Sequence, residues 1–176
     1  MPRIRLPKPC IKCGALTSTS NFICRNCPSF DIDLVPADVW HQFVGIFMGE
    51  GSVSIRENHI NSNKTLFASL AIALREDDRH ILDFLQEYFG GSCGLDIHGT
   101  NPQVRWVVQK NKDIEVILTR MLETCILPAK KLQDIQIVLN FLSWRNSLPF
   151  RGGDYSKGWE FREKLMKSRS YGAIRG

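Results

Sequence analysis

The sequence has no run of apolar residues close to the roughly 20 that a membrane-spanning helix requires. Its first nine residues are basic but no apolar segment follows them, so they do not form a secretory signal. Both absences argue against a membrane partner and favour a reducing, cytoplasmic compartment. With 176 residues, of which 43% are hydrophobic and 23% charged, the chain is long enough for one packed domain and a small appendage.

Several common catalytic patterns are also missing. No serine–histidine–aspartate set is recognisable, the four histidines lack the spacing of a shared helical metal site, and the glycines at 152–153 lack the lysine of a phosphate loop. Acidic residues are absent from residues 1–30, which carry a net charge of +5; residues 31–150 carry −4 and residues 151–176 carry +4. Basic ends around an acidic middle favour a polyanionic partner such as nucleic acid, although basic tails can also serve only solubility.

Four of the six cysteines form two closely spaced pairs near the amino terminus. Two residues separate Cys10 from Cys13, and two separate Cys24 from Cys27. Two thiolate pairs at this spacing complete a tetrahedral zinc site, whereas disulfides are disfavoured in a reducing compartment. We therefore predict a structural Zn2+ in an extension over residues 1–32. Such a closed site has no open position for chemistry, so it says little about function.

From residue 36 onward, the hydrophobic pattern predicts helices that alternate with hairpins. Helices are expected over 36–49, 77–89, 113–124, 130–145 and 156–168, with strands over 52–58 and 66–75 and a second hairpin within 95–109. The predicted fold class is α+β: a four-stranded antiparallel sheet with helices on one face, in the order α-β-β-α-β-β-α-α. The extension over 1–32 would be followed by a core over 36–148 and a basic helical tail over 151–176.

One face of the predicted sheet is polar and basic. The two hairpins, over 51–75 and 96–112, each carry a net charge of +2 within an otherwise acidic middle. An uncovered basic sheet face about two strands wide fits the major groove of DNA, while an ordinary solvated face is the alternative. The candidate DNA-binding residues are Ser52, Ser54, Arg56, Ser69, Arg75, Gln103, Arg105 and Gln109.

The first predicted helix ends in the stretch FVGIFMGEG, residues 43–51. Gly45 and Gly49 lie four residues apart and therefore share one helix face. Each costs about 1 kcal/mol relative to alanine, so close approach of a second helix is the expected compensation. Glu50 is an acid at a helix carboxyl terminus, where a negative charge is disfavoured. It would project towards whatever the sheet face binds; a local hydrogen bond at the helix end is the alternative.

This stretch resembles the LAGLIDADG motif of homing endonucleases, and Gly45, Gly49, Glu50 and Gly51 match its third, seventh, eighth and ninth letters. The resemblance extends over about residues 36–146 through the order of the elements. Met48 departs from it, because the family often has aspartate at the sixth letter.

The resemblance implies roles for particular residues. It makes Glu50 a ligand of the catalytic metal and Gly49 a ligand through its backbone carbonyl group. Lys130 or Lys131, in the stretch that begins at Pro128, resembles the basic residue that the family places near the scissile phosphate.

Only one copy of the motif is present, and one carboxylate cannot assemble the usual pair of hydrolytic metal sites. Two chains can, if their first helices pack through Gly45 and Gly49 and bring both Glu50 side chains together. The leading hypothesis is a Mg2+-dependent homodimer, encoded in an intron or similar mobile element, that cleaves double-stranded DNA at a near-palindromic site. The alternatives are a non-cleaving protein on the same scaffold, either an RNA-splicing maturase that binds RNA or a transcription regulator, and a zinc-stapled interaction module without a nucleic-acid partner.

Overall fold

The computed structural model describes residues 8–9, 16–17, 27–60, 63–96, 102–148 and 156–170. The helices within these ranges are α1 (Ala37–Glu50), α2 (Arg79–Phe89), α3 (Asn111–Thr124), α4 (Ala129–Ser147) and α5 (Ser156–Ser170). The strands are β1 (Lys8–Pro9), β2 (Leu16–Thr17), β3 (Gly51–Ile60), β4 (Asn63–Arg75), β5 (Ser92–Asp96) and β6 (Gln103–Val108). Short 3-10 turns at Ile32–Leu34 and Glu76–Asp78 precede α1 and α2.

Strands β3 to β6 form one antiparallel sheet in the order β3-β4-β6-β5. The long hairpin of β3 and β4 pairs from Gly51 opposite Ile72 to Ile60 opposite Asn63. β6 lies between β4 and β5, with Trp106 opposite Ile72 on one side and Cys93 on the other. The prediction of an α+β fold with a four-stranded antiparallel sheet and helices on one face is confirmed.

The second hairpin begins earlier than residue 95, the predicted start. Gly90 and Gly91 both have positive φ, which glycine adopts at little cost, and they turn the chain directly from α2 into β5 at Ser92. The predicted turn of this hairpin, near residues 99–101, lies outside the described residues.

The helices cover the sheet face that the alternation predicts to be apolar. Phe43 and Phe47 of α1 are fully buried, and the rings of Phe43 and Phe89 lie 4.7 Å apart between their centroids. Trp106 of β6 is also fully buried, and its indole N–H donates a hydrogen bond to the Gly90 carbonyl oxygen at 2.8 Å. This aromatic cluster fixes α1 against the middle of the sheet.

The segment before α1 packs on the same core. The backbone N–H of Ser29 donates to the buried Asp113 carboxylate at 2.6 Å, and Arg120 pairs with Asp33 at 3.1 Å. Cys27 is half-buried next to this anchored segment, whereas Cys10, Cys13 and Cys24 lie outside the described residues. No helix in the described ranges is long and apolar enough to cross a membrane.

Candidate active site and nucleic-acid interface

Helix α1 passes into strand β3 without a loop, because Gly51 allows a very close approach. A Cβ atom at Gly51 would overlap the Phe47 ring and lie 2.6 Å from the Phe47 carbonyl oxygen, so only glycine fits. The Gly51 N–H bonds to that same oxygen and ends the helix. Glu50 is therefore held at the joint between helix and strand, and its side chain is exposed.

Lys131 of α4 lies at the same joint. Its ammonium group donates to the Phe47 carbonyl oxygen at 2.9 Å and also to the Gly51 carbonyl oxygen, and it lies 4.8 Å from the centre of the Phe47 ring. The carboxyl end of a helix carries partial negative charge, so a cation is favourable here. Its presence offsets part of the cost of placing Glu50 at the same helix end.

Burial lowers the pKa of Lys131, and nearby charges modify that shift. The Asp134 carboxylate raises the pKa of Lys131, the Arg169 guanidinium lowers it, and the Glu50 carboxylate raises it. The hydrogen bonds to Phe47 and Gly51 place the Lys131 ammonium group on the backbone next to Glu50. The neighbouring Lys130 is exposed. Of the two candidate lysines, it is therefore Lys131 that lies at the end of α1.

The joint offers oxygen ligands of the type that Mg2+ prefers. Glu50 contributes a carboxylate, and the Gly49 carbonyl is among the last four of α1, which the helix's own hydrogen-bond pattern leaves without a partner. In the described part of the chain, no group of three or more histidine, cysteine, aspartate or glutamate residues is close enough to hold a metal ion. One chain thus supplies a fitting but partial set of metal ligands.

The opposite sheet face, which we call the polar face, carries the outward-pointing residues of β3, β4 and β6. Arg56 donates through Nε to Ser54 at 3.2 Å, and Arg105 lies 3.8 Å from Asp96 of β5. Partial burial and the positive charge of Arg105 both lower the pKa of Arg56. The register places Arg56 opposite Phe67 and Arg105 opposite Ala73 of β4, so both arginines belong to the polar face.

Seven of the eight predicted DNA-binding residues are accessible. Ser52, Arg56, Arg75, Gln103 and Gln109 are exposed, and Ser54 and Arg105 are half-buried. Ser69 is different: the register places it on the polar face opposite Ser54, but it is only 1% exposed. Its hydroxyl oxygen has no hydrogen-bond partner among the described residues. The prediction that Ser69 is available for a DNA contact is therefore corrected.

The glycine face of α1 is uncovered. A Cβ atom placed at Gly45 or at Gly49 would meet no heavy atom within 4 Å, and both residues are exposed. The close helix approach that this spacing favours is thus not made within the described part of the chain.

The sequence pattern does not predict that Asp134 and Arg169 belong to this site. Asp134 follows Lys131 by one helical turn, which is the only sequence signal for it. Arg169 belongs to α5, and only the tertiary fold brings it to the joint.

Comparison with known proteins finds similar solved structures but no match among curated proteins. I-GzeII, a LAGLIDADG homing endonuclease solved in complex with its DNA target, aligns with a TM-score of 0.55 and 21% identity over 74% of this chain and 43% of its own. I-SmaMI bound to cleaved DNA aligns with a TM-score of 0.54 and 17% identity over 76% of this chain and 43% of its own. I-CeuI, a group I intron-encoded homing endonuclease complexed with DNA, aligns with a TM-score of 0.54 and 13% identity over 66% of this chain and 59% of its own.

These likenesses concern the fold, and the chain spans less than two thirds of each of these three relatives. The family itself is indicated by the sequence of the core. The model of the LAGLIDADG endonuclease family matches residues 43–142, which include the end of α1, the whole sheet and most of α4. Because this match covers more than half of the chain, the protein belongs to the LAGLIDADG endonuclease family.

Proposed function

We propose that the chain is a homing endonuclease that hydrolyses double-stranded DNA with Mg2+ as a homodimer. The observation that carries the proposal is the joint between α1 and β3. There the exposed Glu50, the Gly49 carbonyl and the Lys131 ammonium group lie next to Ser52, the first outward residue of the polar face. A duplex that lies on the polar face would pass its backbone over this joint.

The polar face would bind the duplex. Its arginines can contact phosphates, which position the DNA, or guanine edges in the major groove, which specify the sequence. Arg56 and Arg105 are held by Ser54 and Asp96, so less conformational entropy is lost when they meet DNA. Both arginines place positive charge on the face where the groove would lie.

At the joint, Glu50 and the Gly49 carbonyl group would hold Mg2+, which when bound supplies an activated water and stabilises the departing oxygen. Lys131 places a positive charge beside the same position, where negative charge develops on the phosphoryl group during the reaction. Hydrolysis adds a water oxygen to phosphorus and breaks one phosphodiester P–O bond. The departing sugar oxygen takes up a proton, and the attacking water releases one to solvent.

A second copy of the chain would complete the site. The uncovered face at Gly45 and Gly49 allows two α1 helices to approach closely, which would bring the two Glu50 carboxylates towards a common axis. The chain spans 43% of I-GzeII and of I-SmaMI, so two copies approach the length of one such chain. A twofold axis would impose a near-palindromic target.

For the amino-terminal extension we propose a structural Zn2+ bound by Cys10, Cys13, Cys24 and Cys27. The spacing of the four cysteines, two residues within each pair, supports this proposal. A metal measurement on the purified chain tests the proposal. We expect about one zinc per chain, and we expect the zinc to be lost when Cys10 and Cys13 are both replaced by serine. A wild-type chain free of zinc would contradict it.

The nuclease proposal is tested by selecting cleaved duplexes from a randomised DNA library with Mg2+, and repeating the reaction with EDTA. Glu50→Gln should reduce cleavage of the selected duplex by at least about 100-fold while DNA binding remains. Asp38→Asn, which removes an exposed charge from the other end of α1, is the matched control and should cleave like wild type. A Glu50→Gln chain that cuts at the wild-type rate would contradict the mechanism. Binding without cleavage by the wild type would indicate the non-cleaving alternative.

A further inference from the structure

The carboxyl-terminal helix α5 is packed into the core. At Gly158 a Cβ atom would lie 2.9 Å from the Trp144 ring and 3.0 Å from Leu66, so the α5 backbone lies directly on α4 and β4 residues. Leu165, two turns later, is 3% exposed. The position of α5 is thus fixed by apolar contacts before any charged residue is considered.

The last turn of α5 holds a buried carboxylate. Ser168 donates to Oδ1 of Asp134 at 2.5 Å, and Arg169 donates through Nε to Oδ2 at 3.4 Å. Asp134 is 8% exposed, and a buried carboxylate is costly unless it is paired and hydrogen-bonded. Both of its oxygens are bonded to α5. Arg169 is exposed at the surface, but its guanidinium group is paired with this buried carboxylate.

Two cations contact the start of β3, next to the joint between α1 and β3. Arg169 also donates to the Val53 carbonyl oxygen, and Lys131 donates to the carbonyl oxygen of Gly51, two residues earlier in β3. Asp134 lies one turn after Lys131 on α4. The beginning of β3, directly after Glu50, is thus bonded by both Lys131 and Arg169, and Asp134, the partner of Arg169, lies one helical turn from Lys131.

We propose that Asp134 and Arg169 are positioning residues for DNA cleavage, which fix Lys131 and the start of β3 relative to Glu50. This inference rests on the proposed nuclease function. In this scheme the end of α5 positions residues of the active site and does not bind DNA directly. Arg169 acts through its neighbours in this scheme, so its loss should change the rate of the chemical step and leave DNA affinity unchanged.

The test compares Arg169→Met with Lys164→Met in the full chain. Both variants remove one positive charge from an exposed residue of α5. Arg169 bonds to Asp134 and to the Val53 carbonyl oxygen, whereas the Lys164 ammonium group lies over the Phe161 ring. For Arg169→Met we expect the single-turnover cleavage rate at saturating protein to fall at least about tenfold. Its DNA affinity in EDTA, and the salt dependence of that affinity, should not change. Lys164→Met should cleave at the wild-type rate. Arg169→Lys, which keeps the charge, should recover part of the rate. If the Arg169→Met chain fails to fold, Arg169→Lys takes its place in the comparison with Lys164→Met.

A double-mutant cycle separates positioning from a general structural effect. If Arg169 acts through Lys131, then Lys131→Met combined with Arg169→Met should cleave no more slowly than Lys131→Met alone. Rate losses that multiply would overturn the inference. So would an Arg169→Met chain that loses affinity but keeps the wild-type rate at saturation. A wild-type chain that cleaves no DNA would overturn both the proposed nuclease function and this inference. Multiplying rate losses, or a loss of affinity alone, would overturn only this inference.

Discussion

Lys131 reaches from α4 to the last turn of α1, where it donates a hydrogen bond to the Phe47 carbonyl oxygen at 2.9 Å. The contact ties the helix that bears Glu50 to the helix that α5 covers. It also places a cation at the negative end of α1, next to a carboxylate that the helix dipole disfavours. The joint thus combines the Glu50 carboxylate, the Lys131 ammonium group and backbone carbonyl oxygens next to the polar face.

Lys131→Met should slow DNA cleavage. Methionine keeps an apolar stem that can pack on the Phe47 ring, but it removes the positive charge beside Glu50. We expect the single-turnover rate to fall by about 10- to 100-fold because charge stabilisation at the phosphoryl group is lost. Lys130→Met is the control, since that side chain is exposed and should change the rate much less. Equal losses in both variants would show that Lys131 has no special position.

The same side chain makes a prediction for stability against pH. Burial, the largest influence, lowers the pKa of Lys131 in the folded chain below the unfolded value of about 10.4. Between the folded and unfolded pKa values the unfolded chain binds more protons, so the free energy of unfolding rises with pH across that window. Below the folded pKa the cost of burying the charge is fully present.

Urea unfolding of the wild type and of Lys131→Met at a series of pH values measures this effect. The stability of the wild type relative to the variant should increase as pH rises towards the usual lysine pKa of about 10.4. Lys130→Met should show no such trend relative to the wild type. A relative stability that falls with rising pH would contradict the sign.

Much of this site follows from local patterns, but its tertiary connections do not. Gly51 and Glu50 are identified by their positions at the end of an apolar helix, and alternation assigns Arg56 and Arg105 to one sheet face. The same alternation places Ser69 on that face but does not say how far larger neighbours cover a small side chain. The choice between Lys130 and Lys131 depends on how α4 is rotated against α1. The position of Arg169 next to β3 depends on the path of α5 over the core.

Gly45→Leu should have opposite effects on the chain and on its assembly. Outside the neighbouring backbone of α1, no heavy atom of the described residues lies within 4 Å of a Cβ atom at this position, and leucine is close to alanine in helix propensity. The isolated chain should therefore gain about 0.5–1 kcal/mol in its free energy of unfolding. The proposed homodimer should not form, because the new side chain fills the space into which a second α1 would pack.

Sedimentation velocity and urea unfolding at a concentration where the chains are monomeric test both effects. Ala37→Leu, at the exposed start of the same helix, is the control and should leave assembly unchanged. A Gly45→Leu chain that still dimerises would exclude this face of α1 as the interface.

Ser69→Ala should stabilise the chain and leave DNA binding unchanged. The Ser69 hydroxyl is buried without a partner among the described residues, and an unsatisfied buried hydroxyl costs about 1–3 kcal/mol. Alanine removes that cost and leaves only a small cavity, so a gain of about 1 kcal/mol in the free energy of unfolding is expected. Because the side chain cannot reach solvent, the affinity for the selected duplex should not change.

Arg56→Ala provides the comparison on the same face. Arg56 is exposed and bonded to Ser54. Losing a groove contact of this kind weakens specific binding by about 1–3 kcal/mol, or roughly 5- to 150-fold. Arg79→Ala, on the exposed side of α2, removes the same charge away from the polar face and should leave specificity unchanged. A loss of affinity in Ser69→Ala as large as that in Arg56→Ala would mean that the sheet rearranges on DNA and exposes Ser69. Unchanged affinity in Ser69→Ala and Arg79→Ala, with a loss in Arg56→Ala alone, would locate recognition at the accessible arginines of β3 and its neighbours.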